Sequence, residues 1–176
     1  MRKIAFLAFF SFSYLVVQAQ KQLFPILEVP GKSEICIIDE KGKSVLPSGR
    51  TLTPAGQLVR ITHDPFGLAI SPDGKKAVSL HNGVFSIIQT TDLQATRVPS
   101  YDKSIVSPLS NGSFLGVAFN PDNKTIYLSG GDNGAVIVYD IEQMQRIDSI
   151  SLNGEVNGQK FEDSFTSHLL YQNGEI

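Results

Sequence analysis

The segment Phe66-Gly67-Leu68-Ala69-Ile70-Ser71-Pro72-Asp73-Gly74-Lys75 returns 49 residues later as Leu115-Gly116-Val117-Ala118-Phe119-Asn120-Pro121-Asp122-Asn123-Lys124. Self-similarity at a fixed spacing of this size marks a repeat architecture, in which each unit buries its apolar face against a neighbour. The match continues after a two-residue insertion, where Val84-Phe85-Ser86-Ile87-Ile88 pairs with Ala135-Val136-Ile137-Val138-Tyr139. A third, degraded copy begins near the end: Leu170 and Asn173-Gly174 stand 100 residues after Ile70 and Asp73-Gly74, and the sequence stops at Ile176.

Each copy reads as a four-stranded meander. An apolar strand runs into Pro-Asp-Gly or Pro-Asp-Asn, where Pro presets φ and Gly or Asn tolerates a positive φ. Second strands follow at residues 77–80 and 125–129. Asn82-Gly83 and Asn133-Gly134 then stand before apolar runs, a strong hairpin signal. The third strand, residues 135–139, is almost wholly apolar, which implies a sheet covered on both faces. Residues 145–152 supply an outer fourth strand, with Ile147, Ile150 and Leu152 as its apolar members. Blades stacked around a propeller axis are covered in this way, and a period near 49 is in their range. An α-solenoid fails because neither copy holds a long stretch of 3.6-residue period; a β-sandwich is the structural competitor. The expected class is therefore all-β: an incomplete β-propeller with two four-stranded blades (about 66–100 and 115–152), N-terminal strands, and the start of a third blade at 164–176.

The rest of the chain narrows compartment and chemistry. Arg2 and Lys3 precede an apolar stretch at 4–17, and Val17-Gln18-Ala19 has the form of a signal-peptidase site. The apolar core is short for a membrane span of about 20 residues, so residues 1–19 read as a signal peptide that leaves no stable membrane anchor after cleavage. Residues 20–57 then form a lead-in with one or two strands, and 58–176 the blades. Export to a bacterial periplasm or secretion is the expected location. With 15 Lys and Arg against 17 Asp and Glu, net −2, there is no basic stripe for nucleic acid. The single cysteine, Cys36, excludes an internal disulfide framework. In the run Ile35-Cys36-Ile37-Ile38 it reads as a buried, inert thiol.

Gly67-Leu68-Ala69-Ile70-Ser71-Pro72-Asp73-Gly74-Lys75, with a third strand ending Val138-Tyr139-Asp140, resembles the YVTN-type β-propeller repeat of bacterial surface and periplasmic proteins. That group is similar to lactonase-like seven-bladed propellers, so the resemblance implies a seven-bladed parent. The signature tetrapeptide is altered to Val78-Ser79-Leu80-His81 and Tyr127-Leu128-Ser129-Gly130. Residues 46–56, Leu-Pro-Ser-Gly-Arg-Thr-Leu-Thr-Pro-Ala-Gly, resemble the lead-in of bacterial chains in which such a propeller precedes a phosphoesterase of the alkaline phosphatase superfamily. The propeller resemblance covers about residues 34–176, and no part of this chain corresponds to the phosphoesterase.

No catalytic constellation is present: there is no GxSxG, Walker loop or HExxH. His63-Asp64 is the nearest approach to an acid–base or metal pair. On an extended strand the two would point apart; in a turn they can meet, and Asp before Pro65 is a turn signal. Asp132 offers one acid where calcium takes six to eight oxygens. Glu162 and Asp163 read as solvated residues of a polar connector. No catalytic residue, metal ligand or cofactor is assigned. The meander instead gathers the lead-in loop and the turn between second and third strands at one end of each sheet. His63, Asp64, His81, Asn82, Asn111, Asp132 and Asn133 are thereby expected on one channel face, the place for an unknown small-molecule or protein partner.

The reading is an exported scaffold for binding or interaction, the N-terminal portion of a longer protein. Its alternatives are an accessory domain of an exported metal-dependent phosphoesterase and a lactonase-like hydrolase. Two blades without further neighbours are expected to leave two apolar sheet faces uncovered, one side of residues 135–139 among them, and an unpaired edge at Leu169-Leu170-Tyr171.

Overall fold

A computed structural model describes residues 28–39 and 41–176. The expected signal peptide lies outside the described residues. The chain divides into two compact units, Met1–Gln57 and Leu58–Ile176. Among the described residues there is no helix.

In the first unit, β1 (Ser44–Val45) pairs antiparallel with β2 (Thr51–Leu52). The turn between them closes through Leu46 N–H to Arg50 O (2.8 Å) and Gly49 N–H to Leu46 O (2.9 Å). Val45 is its buried apolar centre. The expectation of a buried Cys36 is wrong: the thiol is exposed, and so are Ile35, Ile37 and Ile38. The apolar run makes one isolated bridge, Ile37 to Val45. A single bridge does not form a sheet face under which side chains could be enclosed.

The second unit holds the repeats. β3 (Gly67–Ile70), β4 (Lys76–His81), β5 (Val84–Gln89) and β6 (Ala95–Val98) form one antiparallel sheet in sequential order. β7 (Val117–Phe119), β8 (Thr125–Ser129), β9 (Ala135–Asp140) and β10 (Gln145–Ser151) form the second in the same way. These are two four-stranded meander blades, and the described residues form an all-β, incomplete propeller.

Strand alternation decides which side chains meet between the blades. Val78, Leu80, Phe85 and Ile87 of the first blade share a buried cluster with Ile126, Leu128, Ile137 and Tyr139 of the second. The Phe85 and Tyr139 rings meet edge to face, centroids 5.1 Å apart. Each large apolar side chain so buried contributes about 1.5–3 kcal/mol. The partly exposed Lys76–Glu142 ion pair that also joins the blades (3.3 Å) is of a kind worth about 0–1 kcal/mol. The blades are therefore held by the apolar layer.

The glycine that opens β3 and the one that immediately precedes β7 show how closely successive units pack. A side chain at Gly67 would place its Cβ 2.5 Å from the Leu115 carbonyl oxygen, and one at Gly116 would sit 2.6 Å from that of Ser167. Gly67 and Gly116 are equivalent in the repeat, so residue 167 passes the second blade as residue 115 passes the first. Tyr171 stacks on Tyr127 at 5.6 Å, and Thr166 bridges to Gly131.

Two expectations about the end of the chain need correction. The second blade does not present an open apolar side at β9: Val136 and Val138, on the side away from the first blade, are 2% and 8% exposed, and all six residues of β9 are buried. Leu169-Leu170-Tyr171 is not a strand edge, since residues 164–176 carry only isolated bridges. The polar connector also contains an unforeseen hairpin, β11 (Gly154–Val156) with β12 (Gln159–Phe161). Its turn is Asn157-Gly158, both at positive φ, the pairing that favours a tight two-residue hairpin. On the first blade, Leu68 and Ile70 are 67% and 61% exposed. Only the inner strand of that sheet face is open: Ala77, Ser79, Ser86 and Ile88, its register partners on β4 and β5, are buried.

Candidate binding face

Six of the seven expected site residues lie on four successive loops, the seventh ends β4, and hydrogen bonds tie these loops into a row. The lead-in loop contributes His63 and Asp64. Asp64 takes a positive φ of 51°, so the two residues sit in a turn rather than an extended strand. Their side chains meet, His63 Nδ1 to Asp64 Oδ2 at 3.1 Å, with both groups at least three-quarters exposed.

His81, at the end of β4, joins that loop to the first blade. Its Nδ1 lies 2.8 Å from the His63 carbonyl oxygen, which can only accept, so Nδ1 carries the proton. The residue is 1% exposed, and Nε2 has no hydrogen-bond partner. Burial holds the imidazole below its ordinary pKa, against the opposing pull of the His63 carbonyl. His81 thus anchors the loop from beneath rather than standing on the surface.

The turn after His81 reaches the next loop. Asn82 Oδ1 accepts from Gly112 N–H at 2.9 Å, and Ser107 Oγ donates to Gly83 O at 2.9 Å. The Asn111 carbonyl accepts from Asp132 N–H at 3.4 Å, which connects the loop at 111–112 to the turn at 131–134. Asn82, Asn111, Asp132 and Asn133 are all exposed. Six of the seven expected residues therefore share a continuous polar rim along one end of both blades, and the seventh lies under it.

Sequence reasoning passed over Ser107, Gly112 and Phe165, the last of which borders Gly112 together with Asp132. Asn111-Gly112 repeats the Asn-Gly pattern of the two hairpin turns, a signal that could have marked it. Ser107 and Phe165 carry no such mark. Chemically the rim offers amide donors and acceptors, two carboxylates and one imidazole, a set suited to hydrogen bonding. Among the described residues no group of three or more His, Cys, Asp or Glu side chains could hold a metal ion.

The opposite end of the blades differs in kind. There Asp73 N–H donates to Asn123 Oδ1 at 2.9 Å, and Lys76 Nζ donates to Asn123 O at 3.3 Å. Asp122 accepts from Thr125 Oγ1 (2.6 Å), Thr125 N–H (2.8 Å) and Lys124 N–H (3.0 Å). Its polar groups are spent on turns and on the join between blades.

No family model matches the chain, and no curated protein matches it. Solved structures do. Hydrazine synthase from Kuenenia stuttgartiensis is similar at 18% identity and a TM-score of 0.45, over 66% of this chain and 28% of that one. U3-55K matches at 14% identity and a TM-score of 0.43, over 53% of this chain and 28% of that one. Apo AztD from Citrobacter koseri matches at 19% identity and a TM-score of 0.39, over 68% of this chain and 30% of that one. The chain therefore spans less than a third of the length of each. Its propeller-type organisation follows from the strand order and register within the chain itself.

Proposed function

We propose that this chain is an exported binding module that engages a small molecule or protein through the rim formed by His63, Asp64, Asn82, Asn111, Asp132 and Asn133. The observation that carries the reading is the hydrogen-bonded row from His63 through His81, Asn82, Gly112 and Asn111 to Asp132. It holds exposed polar groups on loops that a rigid pair of sheets positions, the usual arrangement for recognition. At the other end the polar groups are already paired within and between turns, which leaves them little to offer a partner.

Site-specific photo-crosslinking in the producing cell tests this. A crosslinker at Asp132 should give discrete adducts, and one at Lys75, on the opposite end, should give none. Equal adducts from both positions, or none from Asp132, would overturn the proposal. Export by residues 1–19 is part of the same reading, and N-terminal sequencing of the mature protein should begin at Gln20. An intact Met1 would remove that part.

The segment at 46–56 favours a second reading, in which this module accompanies a metal-dependent phosphoesterase carried by a longer protein. Reading the gene beyond the codon for Ile176 separates the two. A long α/β extension with metal-ligating Asp and His residues supports the second reading, and further blades alone oppose it. A lactonase-like hydrolase is the weaker proposal, because the exposed imidazole of His63 is already paired with the Asp64 carboxylate.

A further inference from the structure

We propose that a cleft on the face of the first blade turned away from the second binds a small oxyanion, a carboxylate or phosphate group, between Arg60 and Arg97. Ser86 and Arg97 are register partners across β5 and β6, so they stand on the same face of the sheet. Phe85 and Ile87, their alternates, point into the core, which puts Ser86 and Arg97 on the side away from the second blade. There the chain at 60–62 borders a cavity of about 300 Å³. Thr62, Ser86 and Tyr101 add hydroxyl groups to the two guanidinium groups, and no carboxylate lines it.

Arg97 is held in place before any ligand arrives. Its guanidinium lies 4.9 Å above the centre of the Tyr101 ring, and one Nη1–H donates to the Pro99 carbonyl. A guanidinium carries five N–H donors in a planar fork, so the rest can serve an anion. Among the described residues neither Arg60 nor Arg97 forms a salt bridge. Two like charges lining one small cleft with no counter-charge are a poor arrangement on their own, and a planar or tetrahedral oxyanion between them relieves it. The neighbouring His81 responds to the same field. After burial, the charges of His63 and Arg97 also press its pKa down.

The cleft uses none of the exposed rim residues proposed above for partner binding, so either site can fail without the other. Its volume admits a phosphate or a short dicarboxylate and excludes a folded partner. The test follows the backbone amides of Ser86 and Arg97 by NMR while the full chain is titrated with inorganic phosphate and, separately, with succinate. Saturable shifts at these amides with at least one anion are expected, and the anion that saturates identifies the group recognised. Arg60→Gln, an exposed residue, should weaken binding about ten- to a hundredfold, the range for a lost charge-assisted hydrogen bond. Arg97→Gln should do the same, and circular dichroism checks that it folds. No saturation with either anion, shifts scattered over the surface, or unchanged affinity in Arg60→Gln would each overturn the proposal.

Discussion

Asn123 Oδ1 accepts a hydrogen bond from the backbone N–H of Asp73 at 2.9 Å, so the turn of one blade caps the equivalent turn of the blade before it. Asn123 occupies the repeat position of Gly74, and both take a left-handed φ, 61° and 71°. Asparagine is among the few non-glycine residues that tolerate this region. It also supplies an acceptor that glycine lacks.

Those two roles separate by substitution. Asn123→Gly keeps the turn and loses the cap, and should destabilise by about 0.5–1.5 kcal/mol. Asn123→Ala loses the cap and adds left-handed strain of about 1–2 kcal/mol, so it should be the more damaging of the two. Urea unfolding of both variants checks the order; equal stabilities would show that the inter-blade bond contributes and the backbone preference does not.

Gly67 and Gly116 give a paired prediction. Neither has a positive φ, so backbone conformation does not demand glycine at either place. What does is the main-chain oxygen 2.5–2.6 Å from where a Cβ would sit. Alanine at either position should cost about 1–3 kcal/mol through overpacking. In Gly116→Ala the displaced part is the segment around Ser167, which should become more accessible to proteolysis, whereas Gly67→Ala should loosen the join between the blades.

Tyr139 is fully buried in the core, and its hydroxyl has no hydrogen-bond partner. An unsatisfied buried hydroxyl costs about 1–3 kcal/mol, so Tyr139→Phe, which keeps the ring contact with Phe85, should stabilise the fold by roughly 1 kcal/mol. Burial, and after it the charge of Asp140, pushes the phenol up to about 12 from 10.0. Between those values the unfolded chain releases this proton and the folded chain retains it. Stability present below pH 10 is therefore lost as the pH rises toward 12, and Tyr139→Phe should remove that part of the alkaline loss. Thermal unfolding from pH 9 to 12 provides the comparison.

His81 acts at the other end of the scale. Its folded pKa lies below the ordinary 6.5, first because of burial. The unfolded chain then takes up a proton that the folded chain resists, so the stability it contributes is present above pH 6.5 and declines as the pH falls below it. His81→Asn can keep a donor to the His63 carbonyl and carries no titrating ring. Its stability should fall less between pH 6.5 and 5 than that of the wild type in urea titrations, and parallel curves would show that His81 does not set the slope.

The repeat, the turns and the placement of the blade strands were legible in the sequence because each is encoded locally. Pro-Asp-Gly and Asn-Gly act through φ preferences of single residues, and the 135–139 run announces two-sided burial by composition. The polar rim was also accessible, since a meander puts alternate turns at one end whatever its side chains are. Tertiary structure alone decided the rest. Cys36 sits in an apolar run yet remains exposed, because burial depends on a second layer that the run itself does not encode. His81 carries a hairpin signal but is enclosed by the lead-in chain at 63, a contact between residues 18 apart. Arg60 and Arg97 fall at no equivalent repeat positions, and their shared cleft exists only where residues 60–62 border the sheet near β5 and β6. Local chemistry sets which strands and turns form; which side chains those strands enclose is fixed by what packs against them from elsewhere in the chain.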